Sequence, residues 1–155
     1  MQIRRAVKED LDRINHLLRQ VLEVHAAGRP DIFISGRKKY TDSELLDILS
    51  DDNTPVFVAE DDGLVVGYAF CIYQITKANN ILRDRKVLYI DDLCVDENCR
   101  GKHIGTQLFE YVSGIAKENE CDAVTLNVWT CNEGAMKFYE KCGFSPLKYV
   151  MEKTI

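Results

Sequence analysis

The chain has 155 residues, about one domain's worth where domains usually run ~100–200 residues, and that length buries a core without covalent staples. Apolar residues make up 46% and charged residues 29%, the mix of an ordinary globular protein. Twenty Lys and Arg against 25 Asp and Glu leave a formal charge of −5, which argues against a nucleic-acid module or a polybasic membrane binder but not against an anionic small ligand met by local positive charge.

Gln2 to Val7 is β-compatible. From Lys8 to His25, Leu11, Ile14, Leu17, Leu18, Val21 and Leu22 fall at helical spacing along one stripe. Asp10 and Asp12 suit the positive end of the helix dipole, and Gly28-Arg29-Pro30-Asp31 ends the helix. Thr41-Asp42-Ser43-Glu44 is a capping box that opens a short helix to Leu49. Pro55 to Glu60 and Leu64 to Tyr73 read as two strands of a hairpin around Asp61-Asp62-Gly63. Gly67, inside the second strand, marks a bulge or a close backbone approach.

Ile75 to Lys86 reads as a polar loop, and Val87 to Val95 as a central strand. A helix follows from Ile104 to Asn119, then a strand from Ala123 to Trp129. Asn132 caps a helix over Glu133 to Lys141 that Gly143 stops, and Lys148 to Lys153 reads as a last strand. The order β-α-α-β-β-β-α-β-α-β implies one mixed sheet with helices on both faces.

Leu64 to Tyr73, the most apolar stretch, is far short of the ~20 residues of a membrane span. No apolar run follows Met1-Gln2-Ile3-Arg4-Arg5, so no signal peptide is visible. The six cysteines (71, 94, 99, 121, 131 and 142) contain no CxxC pair. Reduced thiols in a cytoplasmic protein, with neither a disulfide framework nor a zinc site, are expected.

The segment most informative about chemistry joins the central strand to the long helix: Leu93-Cys94-Val95-Asp96-Glu97-Asn98-Cys99-Arg100-Gly101-Lys102-His103-Ile104-Gly105-Thr106. A strand feeds a short loop that opens into a helix whose first amides have no intrahelical partner and whose dipole is positive there. Gly101 and Gly105 let a ligand approach the backbone, and Arg100 and Lys102 add full charges. Physically this is a pyrophosphate cradle, although the same residues would also serve as a basic turn capping a core helix. GxxxxGK[ST] and GxGxxG are both absent.

Arg100-Gly101-Lys102-His103-Ile104-Gly105 resembles the (R/Q)-x-x-G-x-(G/A) signature of the GCN5-related N-acetyltransferase (GNAT) family. Asn132-Glu133-Gly134-Ala135-Met136-Lys137-Phe138-Tyr139-Glu140-Lys141-Cys142-Gly143-Phe144 matches its N-x-x-A-x-x-(F/L)-Y-x-x-x-G-F run. The resemblance covers essentially the whole chain, and the two motifs in order are highly specific. Val87-to-Val95 and Asn127-to-Phe144 look particularly like the diamine (polyamine) acetyltransferase branch. The departure is His103 where the motif has glycine; it either donates to a phosphate or sits where a side chain is tolerated.

The resemblance implies a single α/β (α+β) GNAT-type domain over residues 1–155. It also implies a mixed sheet of about six to seven strands whose central parallel strands splay to admit the pantetheine arm of acetyl-CoA. Backbone groups of Leu93 and Val95, beside Cys94, would pair with that arm. Arg100, Gly101, Lys102, His103, Ile104, Gly105 and Thr106 would hold the pyrophosphate. Asn132, Ala135, Phe138 and Tyr139 would close the other side.

The implied reaction is acetyl transfer to a primary amine, most simply of a small molecule, by direct attack in a ternary complex without a metal. A peptide acceptor and a non-catalytic acyl-CoA-binding module are the alternatives. Tyr139 matches the family's general acid: a phenol with pKa ~10 suits a thiolate leaving group. Asp91 is the first candidate for general base and Asp92 the second. Adjacent strand residues face opposite sides of a sheet, so only one is expected to face the acceptor, and one carboxylate could instead anchor a loop or bind the acceptor's charge. His25, Arg29, Asp31, Phe33 and Tyr40 are the candidate acceptor-pocket residues, with Arg29 suited to a carboxylate. Trp129 is expected in the core. A homodimer is compatible with the family; a nucleic-acid or membrane partner is not expected.

Overall fold

A computed structural model describes all 155 residues. Five strands form one sheet in the order β1-β2-β3-β4-β5: β1 (Gln2–Arg5), β2 (Val56–Asp61), β3 (Leu64–Thr76), β4 (Arg85–Val95) and β5 (Ala123–Leu126). The first four are antiparallel to their neighbours, and β5 runs parallel to β4. Helices α1 (Leu11–Gly28) and α2 (Asp42–Ser50) cover one face, whereas α3 (Ile104–Glu118) covers the other and α4 (Glu133–Lys141) follows β5.

The apolar stripe of α1 produces this layering. Ile14, Leu17 and Leu18 are buried with Leu45 and Leu49 of α2 against Val56, Val58, Tyr68, Phe70 and Cys94. On the other face Val112 and Ala116 of α3 pack with Phe57, Ala69, Cys71, Leu88 and Ile90. Each buried Val, Leu or Ile contributes roughly 1.5–3 kcal/mol relative to exposure. The Thr41 box forms as expected, with the Glu44 amide donating to Thr41 Oγ1 (3.2 Å) and the Thr41 amide to Glu44 Oε2 (2.8 Å). At the start of α1, Asp10 takes a different part from a helix-dipole charge: it is buried, and it accepts from both Arg4 terminal nitrogens (2.7 and 2.9 Å) and the Val7 amide (2.9 Å).

Both readings of Gly67 hold. The β2–β3 register slips beside it, between Ala59 and Glu60, and a Cβ at Gly67 would stand 2.8 Å from the Cys94 carbonyl oxygen.

Three expectations are corrected. The sheet has five strands rather than six or seven, because Lys148 to Lys153 forms no strand. A strand needs a free edge to pair with, and β5, the edge on that side, is only four residues long. Second, the strand expected from Ala123 to Trp129 ends at Leu126, because the chain leaves β4 there and loses its pairing partner. The third correction concerns the aspartates. The β3–β4 register slips between Phe70 and Cys71, so that Phe70 pairs with Asp92 but Cys71 with Ile90. Asp91 is the extra residue of a β-bulge, and a bulge shifts the alternation by one. Leu88 and Ile90 before it, and Leu93 and Val95 after it, all face α3. Asp91 and Asp92 both face the α1 side.

Candidate active site

The site is built where β4 and β5 part. Their pairing runs from Val87↔Ala123 to Ile90↔Leu126 and stops, while β4 continues to Val95. At the fork, Asn127 Nδ2 donates to Tyr89 Oη (3.1 Å). The Asp96 amide donates to Val66 of β3 (2.8 Å). Because amides alternate along a strand, Cys94 also turns its backbone toward β3, and Leu93 and Val95 turn theirs into the fork. The Cys94 side chain lies in the core, its Sγ 3.8 Å from the Leu17 carbonyl oxygen.

Beyond β4, buried Asp96 fixes the loop. It accepts from the Asn98 amide (2.9 Å) and pairs with Arg13 of α1, which also reaches the Val65 carbonyl (2.7 Å). Arg100, Gly101, Lys102 and His103 are exposed, and α3 begins with no side-chain cap. Its first amides are unpartnered within the helix and open to an anion. Gly101 has φ +80° and His103 φ +59°. His103 thus takes the left-handed conformation that glycine adopts without strain, one that costs an ordinary L-residue roughly 1–2 kcal/mol but for which histidine is enriched. Ile104 is buried, and Thr106 is half-buried in the first turn. Gly105 has a packing reason for being small: a Cβ there would stand 3.3 Å from the Phe138 ring and 3.6 Å from Val95.

Asn132 caps α4 by accepting from the Ala135 amide (3.2 Å). Phe138, Tyr139, Phe144 and Phe109 form a chain of tilted and edge contacts with centroids 5.1–5.6 Å apart. Burial raises the Tyr139 phenol well above its usual range, and the charges of Asp92, Cys142 and Cys94 add to the effect. The phenol is therefore protonated throughout the neutral and mildly alkaline range.

Across the sheet, the Lys39 ammonium lies 3.2 Å from Asp91 Oδ2 and 3.2 Å from Asp92 Oδ2. Asp91's side chain is 31% exposed and Asp92's 9%. Burial raises the Asp92 carboxyl above the usual aspartate value, and Asp91 adds to this, while Lys39 and His25 oppose it. For Lys39, burial works against the charge, but Asp92, Tyr40 and Asp91 outweigh it and keep the ammonium protonated. Burial lowers the His25 imidazole from its usual value, with Asp92 opposing and Lys39 adding to the shift. The Tyr68 hydroxyl is fully buried without a hydrogen-bond partner and feels the Asp92 charge.

Of the expected acceptor-pocket residues, His25 and Phe33 are in contact (5.0 Å between centroids), and Phe33 meets Trp129 edge-on at 5.2 Å. Tyr40 stacks on Phe70 at 6.1 Å and carries Lys39 over its ring at 5.3 Å. Arg29 is already paired, with Asp31 (2.8 Å) and Glu152 (3.1 Å), and lies over Trp129. Trp129 is not a core residue: it is 37% exposed, because the chain has left the sheet before reaching it. Lys39 and Tyr68 carry no motif signal. The available hint was Lys38-Lys39, a basic pair just before the Thr41 cap.

The chain matches the Acetyltransferase (GNAT) family over residues 18–144. An uncharacterized N-acetyltransferase of Methanocaldococcus jannaschii is 30% identical over 148 residues, spanning 96% of this chain and 62% of the relative. The chain thus covers less than two thirds of that relative's length. The crystal structure of a tetramutant of the BH1408 protein from Bacillus halodurans is 33% identical and superposes with a TM-score of 0.96 over 100% of both chains. The aminoglycoside N-acetyltransferase AAC(6')-Iy, solved in complex with CoA, shares the fold at 18% identity, with a TM-score of 0.72 over 99% of this chain and 98% of its own. No helix is long and apolar enough to cross a membrane, and no three His, Cys, Asp or Glu side chains converge as a metal site. With the first motif opening α3, the second forming α4, and a family match across most of its length, the chain belongs to the GNAT acetyltransferase family.

Proposed function

We propose that this protein acetylates a small cationic amine by direct attack in a ternary complex with acetyl-CoA. The observation that carries the reading is the convergence of Asp91 and Asp92 on one ammonium beside the fork between β4 and β5. The fork suits acetyl-CoA: free backbone groups of Leu93 and Val95 for the pantetheine amides, and the uncapped start of α3 with Arg100 and Lys102 for the pyrophosphate. When bound, acetyl-CoA supplies a thioester carbonyl as electrophile and a thiolate as leaving group.

The chain's own groups then have three tasks. Asp91, the more exposed carboxylate, receives the acceptor's positive charge. Asp92, buried and with a raised pKa, takes the proton that an alkylammonium of pKa ~10 must lose before it can attack. This exchanges the two aspartates' order of candidacy, on burial. Tyr139 holds a proton at Oη for the departing sulfur. Tyr40, Phe33 and Trp129 offer ring faces to a cation.

Within amines, the resemblance to the diamine (polyamine) branch and the acid-lined, aromatic setting favour a di- or polyamine over a peptide. A panel of amines scored by release of the CoA thiol tests this. Turnover confined to small cationic amines is expected; turnover on peptides alone overturns the substrate class, and acetyl-CoA binding with no thiol release on any amine overturns the reaction.

A homodimer belongs to the same reading. Leu147, Tyr149, Val150 and Met151 are 71–91% exposed on the segment after α4, apolar surface that a second copy would cover. Sedimentation is expected to give twice the chain mass, and a monomer at every concentration would refute it.

A further inference from the structure

The cation held by Asp91 and Asp92 belongs to the chain itself. Lys39 Nζ stands 3.2 Å from each carboxylate and 5.3 Å from the centre of the Tyr40 ring. Two carboxylates and a ring face are surroundings that suit an alkylammonium substrate. Lys39 is carried by neither helix nor strand. It lies on the irregular connection from Arg29 to Thr41, which turns at Gly36 (φ +75°) and is tied to α1 where Glu23 accepts from Ser35 Oγ (2.6 Å) and the Gly36 amide (2.7 Å). Its side chain is 36% exposed.

We propose that Lys39 is an internal competitor for the acceptor ammonium, occupying the place between Asp91 and Asp92 that the substrate amine takes, so that binding an amine exchanges one ammonium for another. The inference rests on the carboxylate pair being the acceptor site, as argued above.

The exchange has a consequence for specificity. A simple monoamine regains only the ion pairs that Lys39 gives up, so its charge alone contributes little net affinity. An acceptor with a second ammonium, or with apolar surface for Phe33 and Trp129, gains something that Lys39 cannot match. Lys39 thus selects against small monoamines, and it spares the pair from standing uncompensated when no substrate is bound. Two carboxylates next to each other, one of them buried, would be costly without a cation.

Calorimetric titration of putrescine into the CoA-bound chain tests the exchange without depending on turnover. Lys39→Gln is expected to bind putrescine about tenfold more tightly than the unaltered chain, the scale of losing two competing, partly exposed ion pairs. Lys39→Arg, which keeps a cation, is expected to bind no more tightly. Lys39→Met, which keeps an apolar stem over Tyr40, gives the same reading should the glutamine variant fold poorly. Equal or weaker binding in Lys39→Gln and Lys39→Met overturns the proposal, as does the absence of putrescine binding in every chain. Thiol release is read separately. Tighter binding without turnover keeps the exchange and removes the acetyl-transfer reading; turnover with unchanged binding keeps acetyl transfer and removes the exchange.

Discussion

Asp92→Asn is expected to lower kcat by about 10²–10⁴, the usual contribution of a positioned general base, with a smaller change in KM for the amine. The substitution keeps the side chain's shape and leaves Lys39 its partner Asp91. Burial holds the folded-state pKa of Asp92 above its unfolded value. The folded chain therefore binds that proton more tightly than the unfolded chain does. The cost of the buried charge is absent below the unfolded pKa and fully present above the folded one, so the asparagine variant should be no less stable to heat at neutral pH. The unaltered enzyme's kcat/KM should rise with pH through the raised Asp92 value, and that acidic limb should vanish in Asp92→Asn. Asp91→Asn should instead raise KM for the amine with little change in kcat, since a receiving charge acts in the ground state and the transition state alike. Equal losses of kcat in the two variants, or an unchanged acidic limb in Asp92→Asn, would remove the division of labour between the carboxylates.

The second large effect is expected at Tyr139. Tyr139→Phe removes one hydroxyl from a packed aromatic chain and keeps the contacts with Phe138 and Phe144. A loss of about 10² in kcat, with KM for both substrates near its original value, is the signature of a proton donor used only in the transition state. Burial raises this phenol, with Asp92, Cys142 and Cys94 adding to the shift. Tyr139 is therefore expected to stay protonated in mildly alkaline solution. The loss in Tyr139→Phe should accordingly be constant with pH from neutrality to that range. Unchanged turnover at all pH values would reduce Tyr139 to a packing residue.

Much of this arrangement is legible in the sequence wherever local rules decide. The α1 stripe, the Thr41 box, the Asn132 cap and the strand-loop-helix around Arg100 appear in the structure as expected, because spacing and end residues specify them locally. What was not legible depends on pairing across strands. The bulge at Asp91 follows from the β3–β4 register between Phe70 and Cys71, and nothing in Ile90-Asp91-Asp92-Leu93 announces it. A strict period of two places those aspartates on opposite faces; the bulge puts both under α1. Lys148 to Lys153 has a strand-like composition, but the edge strand β5 is only four residues long and the segment does not pair with it. Trp129 reads as core only if β5 reaches it, and β5 stops at Leu126. Lys39 lies on a connection with no periodicity, so only the folded chain shows it between the carboxylates.

The most direct measurement is a crystal structure of the chain with CoA and putrescine bound. The pantetheine is expected between Leu93–Val95 and the segment from Asn127 to Trp129. One putrescine nitrogen is expected within hydrogen-bond distance of both Asp91 and Asp92, with Lys39 displaced toward solvent. A putrescine nitrogen bound away from both carboxylates, or CoA bound outside the fork between β4 and β5, would overturn the proposed site.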